Sequence, residues 1–320
     1  MRYYLFLLLA VVATNVYAEE QDEAKTLLEQ MRHSLQQRNF EGTFVYINGK
    51  DMETMHVVHE GGGKRGRSYV TALSGEAREV LRDSQFLTCI TPDKHSVFRE
   101  PIKADEFILP VPVKHADLHS YYQYKLGKVQ RIAGLDCQQV RITPLDDYRF
   151  GYEYCLDQEN GFPLRIATMD VDGNAIEQVM FTTIAFPEHI DQQVFAVQDK
   201  IKDYAVSEAS MPKVYEGEIP FKIKLLPSGF EVKSIFYQPA SADDNEFFQV
   251  ILSDGLARAS LFIAPGDSVS DNEPPQGLMR SGAVHAMTRK MDGSVLTIVG
   301  EVPNKTLQLI LGSVEITGND

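Results

Sequence analysis

Residues 42–60, GTFVYINGKDMETMHVVHE, contain two runs of β-branched and aromatic residues on either side of Asn48-Gly49. Such residues favour strands, because their side chains pack well on a pleated and half-buried surface. An Asn-Gly pair between two such runs is typical of a tight turn. The stretch therefore predicts two neighbouring antiparallel strands.

The same pattern of a short strand followed by a turn signal continues as far as residue 186. The further strand candidates are RSYVTAL, EAREVLR, QFLTCI, SVFRE, YYQYKLG, KVQRIAG, CQQVRI, RFGYEYCL, PLRIATMD and AIEQVMFTTIAF. Tight turns between consecutive strands indicate an antiparallel sheet. Before the strands, residues 20–38 place apolar side chains at helical spacing, which predicts an amphipathic helix that packs on that sheet. We expect an α+β fold whose N-terminal part is a strongly curved antiparallel half-barrel over this helix.

Residues 187–218 break this rhythm with many charges and two prolines, Pro187 and Pro212. They predict a closing turn followed by a linker at 206–218. A second series of strands starts near residue 219, and Pro303 stands where a final helix would begin. Residues 265–278, rich in Pro and acidic side chains, predict a surface loop. The expected domains are residues 19–205 and a smaller α+β domain at 219–320.

The first eighteen residues, MRYYLFLLLAVVATNVYA, combine a positive start with an apolar run and small residues before Glu19. This is the pattern of a signal peptide at 1–18, and the alternative is an interfacial or re-entrant helix. We therefore expect an exported protein without stable membrane insertion. Because exported compartments lack nucleotide pools, no cofactor is predicted. The formal net charge of −14 argues against binding to nucleic acid through the overall field.

The three cysteines are Cys89, Cys137 and Cys155, an odd number that allows one disulfide at most. The strand candidates that contain Cys137 and Cys155 flank a turn at residues 144–147. A turn centred on Asp146 would place these two cysteines directly opposite each other, within reach of a disulfide. The alternative is that both remain buried free thiols.

A search for catalytic or metal-binding patterns finds little. His56 and His59 would point to opposite faces of a strand, and HADLH at 115–119 lacks the glutamate of a zinc protease. Lys64, Arg65 and Arg67 follow three glycines and suggest an anion-binding loop, although a hairpin with solvated charges explains them equally simply. With no metal site and no catalytic constellation, we expect a binding protein rather than an enzyme.

The order of several short stretches along the chain resembles the sigma-E factor regulatory protein family, RseB/MucB. In the first domain these are the leading helix, NFEGTFVY at 39–46, GEAREV at 75–80, YY at 121–122, RFGYEY at 149–154, LD at 156–157 and GFPLR at 161–165. In the second they are LPSGF at 226–230, LSDGL at 252–256, RSG at 280–282 and TIVGEVP at 297–303.

This resemblance implies a periplasmic negative regulator of the envelope stress response. Such a protein binds the periplasmic domain of a membrane anti-sigma factor, shields it from proteolysis, and is released by a lipid-like signal. The resemblance also implies a lipoprotein-carrier-like first domain, and a second domain that makes much of the partner contact. The rivals are a periplasmic lipid or lipoprotein carrier and an envelope hydrolase.

Two sets of site residues follow from these expectations. Phe44 and Tyr46 share one face of the first strand, and we expect them to line an apolar pocket for a fatty-acyl chain. Arg280 and Gly282 precede a strand pair with an apolar face, formed by Val284, Ala286, Val295, Thr297 and Val299. We expect that surface to bind the anti-sigma factor, with Arg280 near its edge, because arginine packs and pairs well at interfaces.

Overall fold

The computed structural model describes residues 2–102, 118–209, 213–239, 246–265 and 277–317, with side chains from residue 20 onward. Helix α1 spans Arg2–Gln37 and therefore extends the expected helix toward the N-terminus. Its buried residues Ala24, Leu28, Met31 and Leu35 recur at the spacing of one helical face. Within the described residues, no helix has the length and apolar character needed to cross a membrane.

The first sheet has twelve strands in the order β12-β6-β5-β4-β3-β2-β1-β11-β10-β9-β8-β7. The bounds are β1 Phe40–Asn48, β2 Asp51–Glu60, β3 Arg67–Ala72, β4 Glu79–Arg82, β5 Phe86–Thr91, β6 Ser96–Pro101, β7 Tyr122–Ile132, β8 Leu135–Pro144, β9 Gly151–Asp157, β10 Pro163–Met169, β11 Ala175–Ala185 and β12 Ala205–Glu208. The sheet is open and almost entirely antiparallel. The expected strands YYQYKLG and KVQRIAG form one strand, β7, with an irregularity between Leu126 and Val129.

Helix α1 packs on one side of this sheet, which we call the inner face. There it meets apolar residues of β1 and of β7 to β11, including Val140, Tyr152 and Tyr154, in the main core. The opposite side of β2 to β6 is covered by residues 190–204, which contribute Ile190, Phe195, Val197 and Ile201 to a second core. This segment contains a turn of 3-10 helix at Gln192–Phe195 and the short helix α2, Gln198–Ile201.

The chain then joins the edge of the same sheet before it leaves the first domain. Strand β12 pairs in parallel with β6, and its register places Val206 beside Val97. The expected linker at 206–218 therefore begins inside a strand, because the main-chain groups of residues 205–208 complete the sheet edge.

The second domain contains a six-stranded sheet in the order β14-β15-β16-β19-β18-β17 and a separate pair, β13-β20. The bounds are β13 Phe221–Ile223, β14 Glu231–Gln238, β15 Phe247–Ser253, β16 Arg258–Pro265, β17 Gly277–Ser281, β18 Val284–Met291, β19 Ser294–Gly300 and β20 Val314–Ile316. Helix α3, Asn304–Ser313, follows Pro303 as expected and packs Leu307, Ile310 and Leu311 on one side of the sheet. Most of the expected loop at 265–278 lies outside the described residues.

A disulfide links Cys137 and Cys155, as the sequence predicts, while Cys89 is a free thiol. The expected register was wrong. Cys137 lies opposite Asp157 and Cys155 lies opposite Gln139, so the two cysteines are diagonal neighbours with Cα atoms 5.3 Å apart. The connection between β8 and β9 is centred on Asp147 instead of Asp146. Because moving the centre of a turn by one residue moves the opposite strand by two, Cys137 pairs with Asp157 instead of Cys155.

Candidate functional site: the junction of the two domains

Phe44 and Tyr46 both lie on the inner face, as expected from their spacing. The Phe44 ring packs against that of Phe181, with ring centroids 5.6 Å apart, at the margin of the core beneath α1. The hydroxyl of Tyr46 donates a hydrogen bond of 2.9 Å to Oε1 of Glu177 on β11. The two predicted pocket residues therefore have different surroundings, one apolar and one acidic.

The apolar part of the inner face continues away from α1 along a line of directly opposed residues. The register connects Val57 to Val70, Val70 to Val80, Val80 to Cys89 and Cys89 to Phe98. Directly opposed side chains share a face of the sheet. Val57 is buried, whereas Phe98 at the far end is 44% exposed. We call Val70, Val80, Cys89 and Phe98 the apolar line. The sequence did not predict this surface, because alternation within each strand does not show which residues of different strands lie side by side.

The predicted anion-binding loop separates into two parts. Lys64 and Arg65 are exposed in a turn of 3-10 helix. Arg67 instead stacks on the Phe195 ring at 4.3 Å and donates from Nε to Glu60 Oε2 at 3.1 Å. This hydrogen bond lowers the pKa of Glu60. Arg67 therefore holds the 190–204 segment against the sheet.

The two domains meet around a buried ion pair that joins Arg149 of the first domain to Asp254 of the second. Arg149 Nε lies 3.0 Å from Asp254 Oδ2, and neither side chain is exposed. The N–H group is not aligned for a hydrogen bond. The carboxylate has directed partners of its own, since Oδ2 accepts from the Tyr122 hydroxyl at 2.9 Å and Oδ1 accepts from the main-chain N–H of Ala257 at 2.8 Å.

Aromatic rings and a main-chain carbonyl surround the Arg149 guanidinium. Its Cζ lies 4.9 Å from the ring centroid of Tyr121 and 5.3 Å from that of Phe230, and Nη2 donates to the Ser228 carbonyl. Between these groups Gly229 has a φ of +86°, and a Cβ atom there would lie 2.4 Å from the Tyr121 ring. The loop at 227–230 therefore requires a glycine at this position, for both its backbone conformation and the close approach.

Around this centre, further contacts tie the two domains together. Leu256 of the second domain packs against the main core of the first. Lys305 Nζ lies 2.8 Å from Asp147 Oδ2, in an exposed ion pair, and the hydroxyl of Thr306 donates to the Tyr148 carbonyl. The loop between β8 and β9 therefore contacts the start of α3 as well as Asp254.

The predicted partner residues Arg280 and Gly282 also lie at this junction. Gly282 is covered by Asn48, the last residue of β1, and a Cβ atom on Gly282 would collide with the Asn48 side chain. Nδ2 of Asn48 lies 3.5 Å from Ser281 Oγ. With its amide oriented to satisfy both neighbours, Asn304 accepts from the Arg280 guanidinium and donates to His285 Nδ1 at 2.9 Å.

His285 connects the Arg280 region to the first domain. Its ring meets the Phe150 ring edge-on, with centroids 5.5 Å apart. Burial, followed by the nearby positive charge of Arg280, lowers the pKa of His285. The imidazole therefore favours its neutral form in this arrangement.

Glu301 of the second domain is close enough to Glu177 of the first for their charges to interact. Burial raises the pKa of Glu301, the negative charge of Glu177 raises it further, and Arg258 acts in the opposite direction. The pKa of Tyr46 is raised by burial and then by the negative charges of Glu177, Glu301 and Glu53. The structure thus brings the predicted pocket residue Tyr46 and the predicted partner residues to one junction, together with a carboxyl pair from the two domains.

Residue patterns alone did not single out Arg149, Asp254, Tyr122 or Glu301. Each lies in a stretch that carries the resemblance noted above: YY, RFGYEY, LSDGL and TIVGEVP. These stretches, far apart in the sequence, converge at the junction. Among the residues whose placement is described, no group of three His, Cys, Asp or Glu side chains could hold a metal ion.

Comparison with known proteins identifies two family models along the chain. Residues 23–198 match the MucB/RseB N-terminal domain, and residues 216–315 match the MucB/RseB C-terminal domain. The sigma factor AlgU regulatory protein MucB of Pseudomonas aeruginosa is 27% identical over 321 residues, which cover 98% of each chain. The sigma-E factor regulatory protein RseB of Haemophilus influenzae is 25% identical over 311 residues, which cover 96% of each chain.

Solved structures share the fold. The structure of the Pseudomonas aeruginosa MucA/MucB complex superposes with a TM-score of 0.69 at 23% identity, covering 93% of this chain and 100% of that one. A structure of MucB in complex with the periplasmic part of MucA gives a TM-score of 0.67 at 22% identity, covering 92% and 100%.

Proposed function

This chain belongs to the MucB/RseB family, and from that membership we propose that it is a periplasmic negative regulator of the sigma-E envelope stress response. It binds the periplasmic domain of a membrane-anchored anti-sigma factor and shields that domain from proteolysis. The observation that carries the proposal is the match of both domains, in order, to regulators named for sigma-E and AlgU over almost the whole chain.

The second domain favours a regulator over a lipoprotein carrier, the alternative function. A carrier needs the first sheet and its helix, but it has no evident use for a second domain that is joined to them by a buried ion pair. MucB has been solved in complex with MucA, which indicates the kind of partner such a two-domain chain binds. We assign the partner-binding role chiefly to residues 219–320.

Strand β17 and the residues around Arg280 are the part of the second domain best suited to bind an extended segment. β17 is the terminal strand of its sheet, and all five of its residues are exposed, including Leu278 and Met279. An edge strand offers unpaired main-chain groups to an incoming strand, and alternate side chains provide specificity. Arg280 lies on this strand, while Gly282 supports the junction through Asn48.

A lipid-like ligand belongs on the inner face of the first domain. The apolar line begins beside Phe44 and the α1 core and ends at the exposed Phe98, so an acyl chain there would bury carbon against carbon. This role requires the first sheet to curve around the helix as a half-barrel, which would shelter the chain from water. Lys64 and Arg65 are candidates to meet an anionic headgroup.

Protection of the anti-sigma factor from its initiating protease tests the proposed function. The full chain should slow cleavage of the purified periplasmic segment, and Arg280→Glu should weaken this protection without lowering the melting temperature. Arg289→Glu on the neighbouring strand β18 is the matched control, because Arg289 is also an exposed cation. Equal cleavage with and without the wild-type chain would refute the function, and equal protection by both variants would refute the role of Arg280.

A further inference from the structure

A cavity of about 460 Å³ opens on the side of the first sheet that is opposite the inner face. It lies at the end of the sheet where the connection from β8 to β9 approaches the connection from β10 to β11. Its volume falls within the range of ligand pockets and is large enough for an amino-acid side chain and part of its neighbours. The functions proposed above for the inner face and for the second domain do not use this cavity.

Gly151 of β9 forms the floor of the cavity. It lies opposite Met169 of β10 and precedes Tyr152, whose side chain belongs to the main core on the inner face. Because successive side chains of a strand point to opposite faces, the missing side chain of Gly151 leaves a hollow on the other face. Gly151 does not have a positive φ, and a Cβ atom there would lie 3.2 Å from the Ile142 carbonyl oxygen and 3.5 Å from Met169 Cβ. The backbone angle therefore does not demand glycine at this position, and the glycine provides space.

Two exposed apolar side chains stand at the rim of the cavity, each on a different connection. Leu145, between β8 and β9, is 61% exposed, and Val171, between β10 and β11, is 60% exposed. Both would lose contact with water against a bound chain, which is favourable for apolar surface. The rim therefore favours a ligand with apolar groups on two sides of the part that enters the cavity.

Carboxylates outnumber cations among the residues that line the cavity. The charged lining residues are Arg141, Asp146, Asp147, Glu153 and Asp170. Glu153 is already neutralised, since it accepts hydrogen bonds of 2.8 Å from both Arg141 and Arg165. Asp147 shows that this rim accepts a cation, because its Oδ2 lies 2.8 Å from Nζ of Lys305 in the second domain.

Asp170 is the lining carboxylate that remains for a ligand. Its Oδ1 accepts from the main-chain N–H groups of Asp172 at 3.0 Å and of Asn174 at 2.7 Å, and its Oδ2 accepts from the Asn174 amide at 3.2 Å. Within the described part of the chain, no cation pairs with Asp170. The turn thus holds a half-buried negative charge in place at the cavity, where an incoming cation would meet it without rearrangement.

We propose that this cavity binds a protein segment that carries an arginine or lysine between two apolar residues. The cationic side chain enters above Gly151 and approaches Asp170, while the apolar neighbours cover Leu145 and Val171. In an extended segment, the side chains two positions before and after the cation point to the same side as the cation, which suits the two rims. A small polyamine would meet the carboxylates but leave both rims uncovered. The site is separate from the partner surface proposed at residues 219–320, and its test does not depend on that proposal.

Methyl NMR of the full chain tests the site, because Met169 lines the cavity. Protein with isotope-labelled methionine methyl groups is titrated with the capped peptide Leu-Ser-Arg-Ser-Leu, and Met169→Leu identifies the Met169 resonance. That resonance should shift saturably, and added salt should weaken the binding. The resonance of Met52, which is 68% exposed on β2 and lies three strands away from β10, should stay in place.

Two further probes identify which parts of the peptide are recognised. The same peptide with citrulline in place of arginine keeps the shape and removes the charge. Spermidine supplies positive charge without apolar side chains. Each should bind at least about threefold more weakly than the arginine peptide, as expected for the loss of one partly exposed contact.

The deciding comparison is between Asp170→Asn and Asp172→Asn, two changes in the same turn. Asparagine also accepts hydrogen bonds in such turns, so Asp170→Asn should fold, lose the charge and bind the arginine peptide about threefold more weakly or worse. Asp172 is exposed and does not line the cavity, so Asp172→Asn should bind as the wild type does. Val171→Ser should also weaken binding, whereas Val129→Ser, at a valine that is 54% exposed on β7, should not.

Several results would overturn the proposal. The Met169 resonance of the wild type would not shift with the arginine peptide, or Met52 would shift as much as Met169 does. Equal binding of this peptide by Asp170→Asn and the wild type would remove the role of the carboxylate. Binding of spermidine as tight as that of the arginine peptide would show a site for small cations instead of a protein segment.

Discussion

Arg149 and Asp254 lie 105 positions apart in the sequence, yet Arg149 Nε and Asp254 Oδ2 are 3.0 Å apart with both side chains fully buried. Removing two charges from water is costly, so a buried pair adds little stability over an apolar contact of the same shape. Its effect is on geometry, since Asp254 left alone would be an uncompensated buried charge and Arg149 would keep only the partly exposed Asp146, whose Oδ2 lies 3.4 Å from Nη1. The pair therefore favours one relative placement of the two domains.

Loss of Arg149 should destabilise the protein strongly. Arg149→Met leaves Asp254 buried without its cation, and we expect a loss of about 3–5 kcal/mol in the free energy of unfolding. Asp254→Asn combined with Arg149→Met should cost less than the sum of the two single changes, because the double variant buries no unpaired charge. Urea denaturation of the four proteins in a double-mutant cycle measures this coupling.

Lys305→Met is the matched control, because Lys305 pairs with Asp147 in the same junction while both side chains remain largely exposed. Exposed pairs contribute little, so its unfolding curve should overlay that of the wild type. Equal effects of the Arg149 and Lys305 changes would contradict the importance assigned to the buried pair.

The sheets were largely predictable from the sequence, because alternation and turn residues act locally. The expected tight turn between β1 and β2 is present, but it consists of Gly49-Lys50, because Asn48 is the last residue of β1 and pairs with Asp51. The expected strands of the first domain are present, with YYQYKLG and KVQRIAG merged into β7. Strands β12, β17 and β20 were missed, since each is short and lies beside a loop or a helix end without its own alternation. The disulfide was predicted with the wrong register, because the turn geometry around Asp146 is not encoded in periodicity. There the Asp146 carboxylate accepts from the N–H of Tyr148 at 2.9 Å.

The junction was much less predictable. Arg149 lies in a loop where no pattern indicates burial, and its partners Asp254 and Ser228 come from a different domain. Arg67 illustrates the same limit, because its role depends on Phe195, a residue 128 positions away. Local composition indicates that a cation is present, but only the tertiary fold determines which groups meet it.

The disulfide should add substantially to stability. It joins residues 18 positions apart, and closing a loop of that length is worth roughly 3 kcal/mol in the chain-entropy model. Replacement of both Cys137 and Cys155 by Ala should lower the free energy of unfolding by about that amount. Cys89→Ser should leave the non-reducing peptide map unchanged. Alkylation of Cys137 and Cys155 in native oxidised protein would show that the bond does not form.

His59 should make stability depend on pH. Burial lowers its pKa from 6.5 to about 4, and its Nδ1 lies 2.7 Å from Ser68 Oγ beside the Phe40 ring. A lowered folded-state pKa gives stability that is present above pH 6.5 and is lost as the pH falls toward 4. The shift corresponds to about 3 kcal/mol.

His59→Phe should therefore flatten the dependence of unfolding free energy on pH between 6.5 and 4. His56→Phe, at a partly exposed position on the same strand, should keep the wild-type slope. Chemical denaturation at several pH values measures both variants. A wild-type slope in His59→Phe would show that other groups cause the acid sensitivity.

Substitution of Arg67 should affect stability, whereas substitution of its neighbours Lys64 and Arg65 should affect ligand binding. Arg67→Ser removes the Phe195 stack and the Glu60 hydrogen bond, so we expect a loss of about 1 kcal/mol and faster hydrogen exchange in residues 190–204. The double change of Lys64 and Arg65 to Ser should preserve exchange but weaken the salt dependence of binding to anionic lipid vesicles. Unchanged hydrogen exchange of residues 190–204 in Arg67→Ser would contradict the role of Arg67 in holding this segment against the sheet.

The apolar line should determine whether the first domain binds an acyl chain. Phe98 is 44% exposed at its far end, so Phe98→Asp should fold while placing a charge where carbon would otherwise be buried. Burying a large apolar side chain contributes roughly 1.5–3 kcal/mol, which corresponds to at least about a tenfold loss in affinity for a fluorescent fatty-acyl probe. Leu145→Asp, on the loop between β8 and β9 and 61% exposed, is the control with unchanged affinity. Leu145 lies in the loop after β8, outside the strands that contain the apolar line. Equal losses in both variants would therefore indicate nonspecific adsorption. Wild-type binding no stronger than that of an unrelated protein of similar size would remove the lipid site from the proposed function.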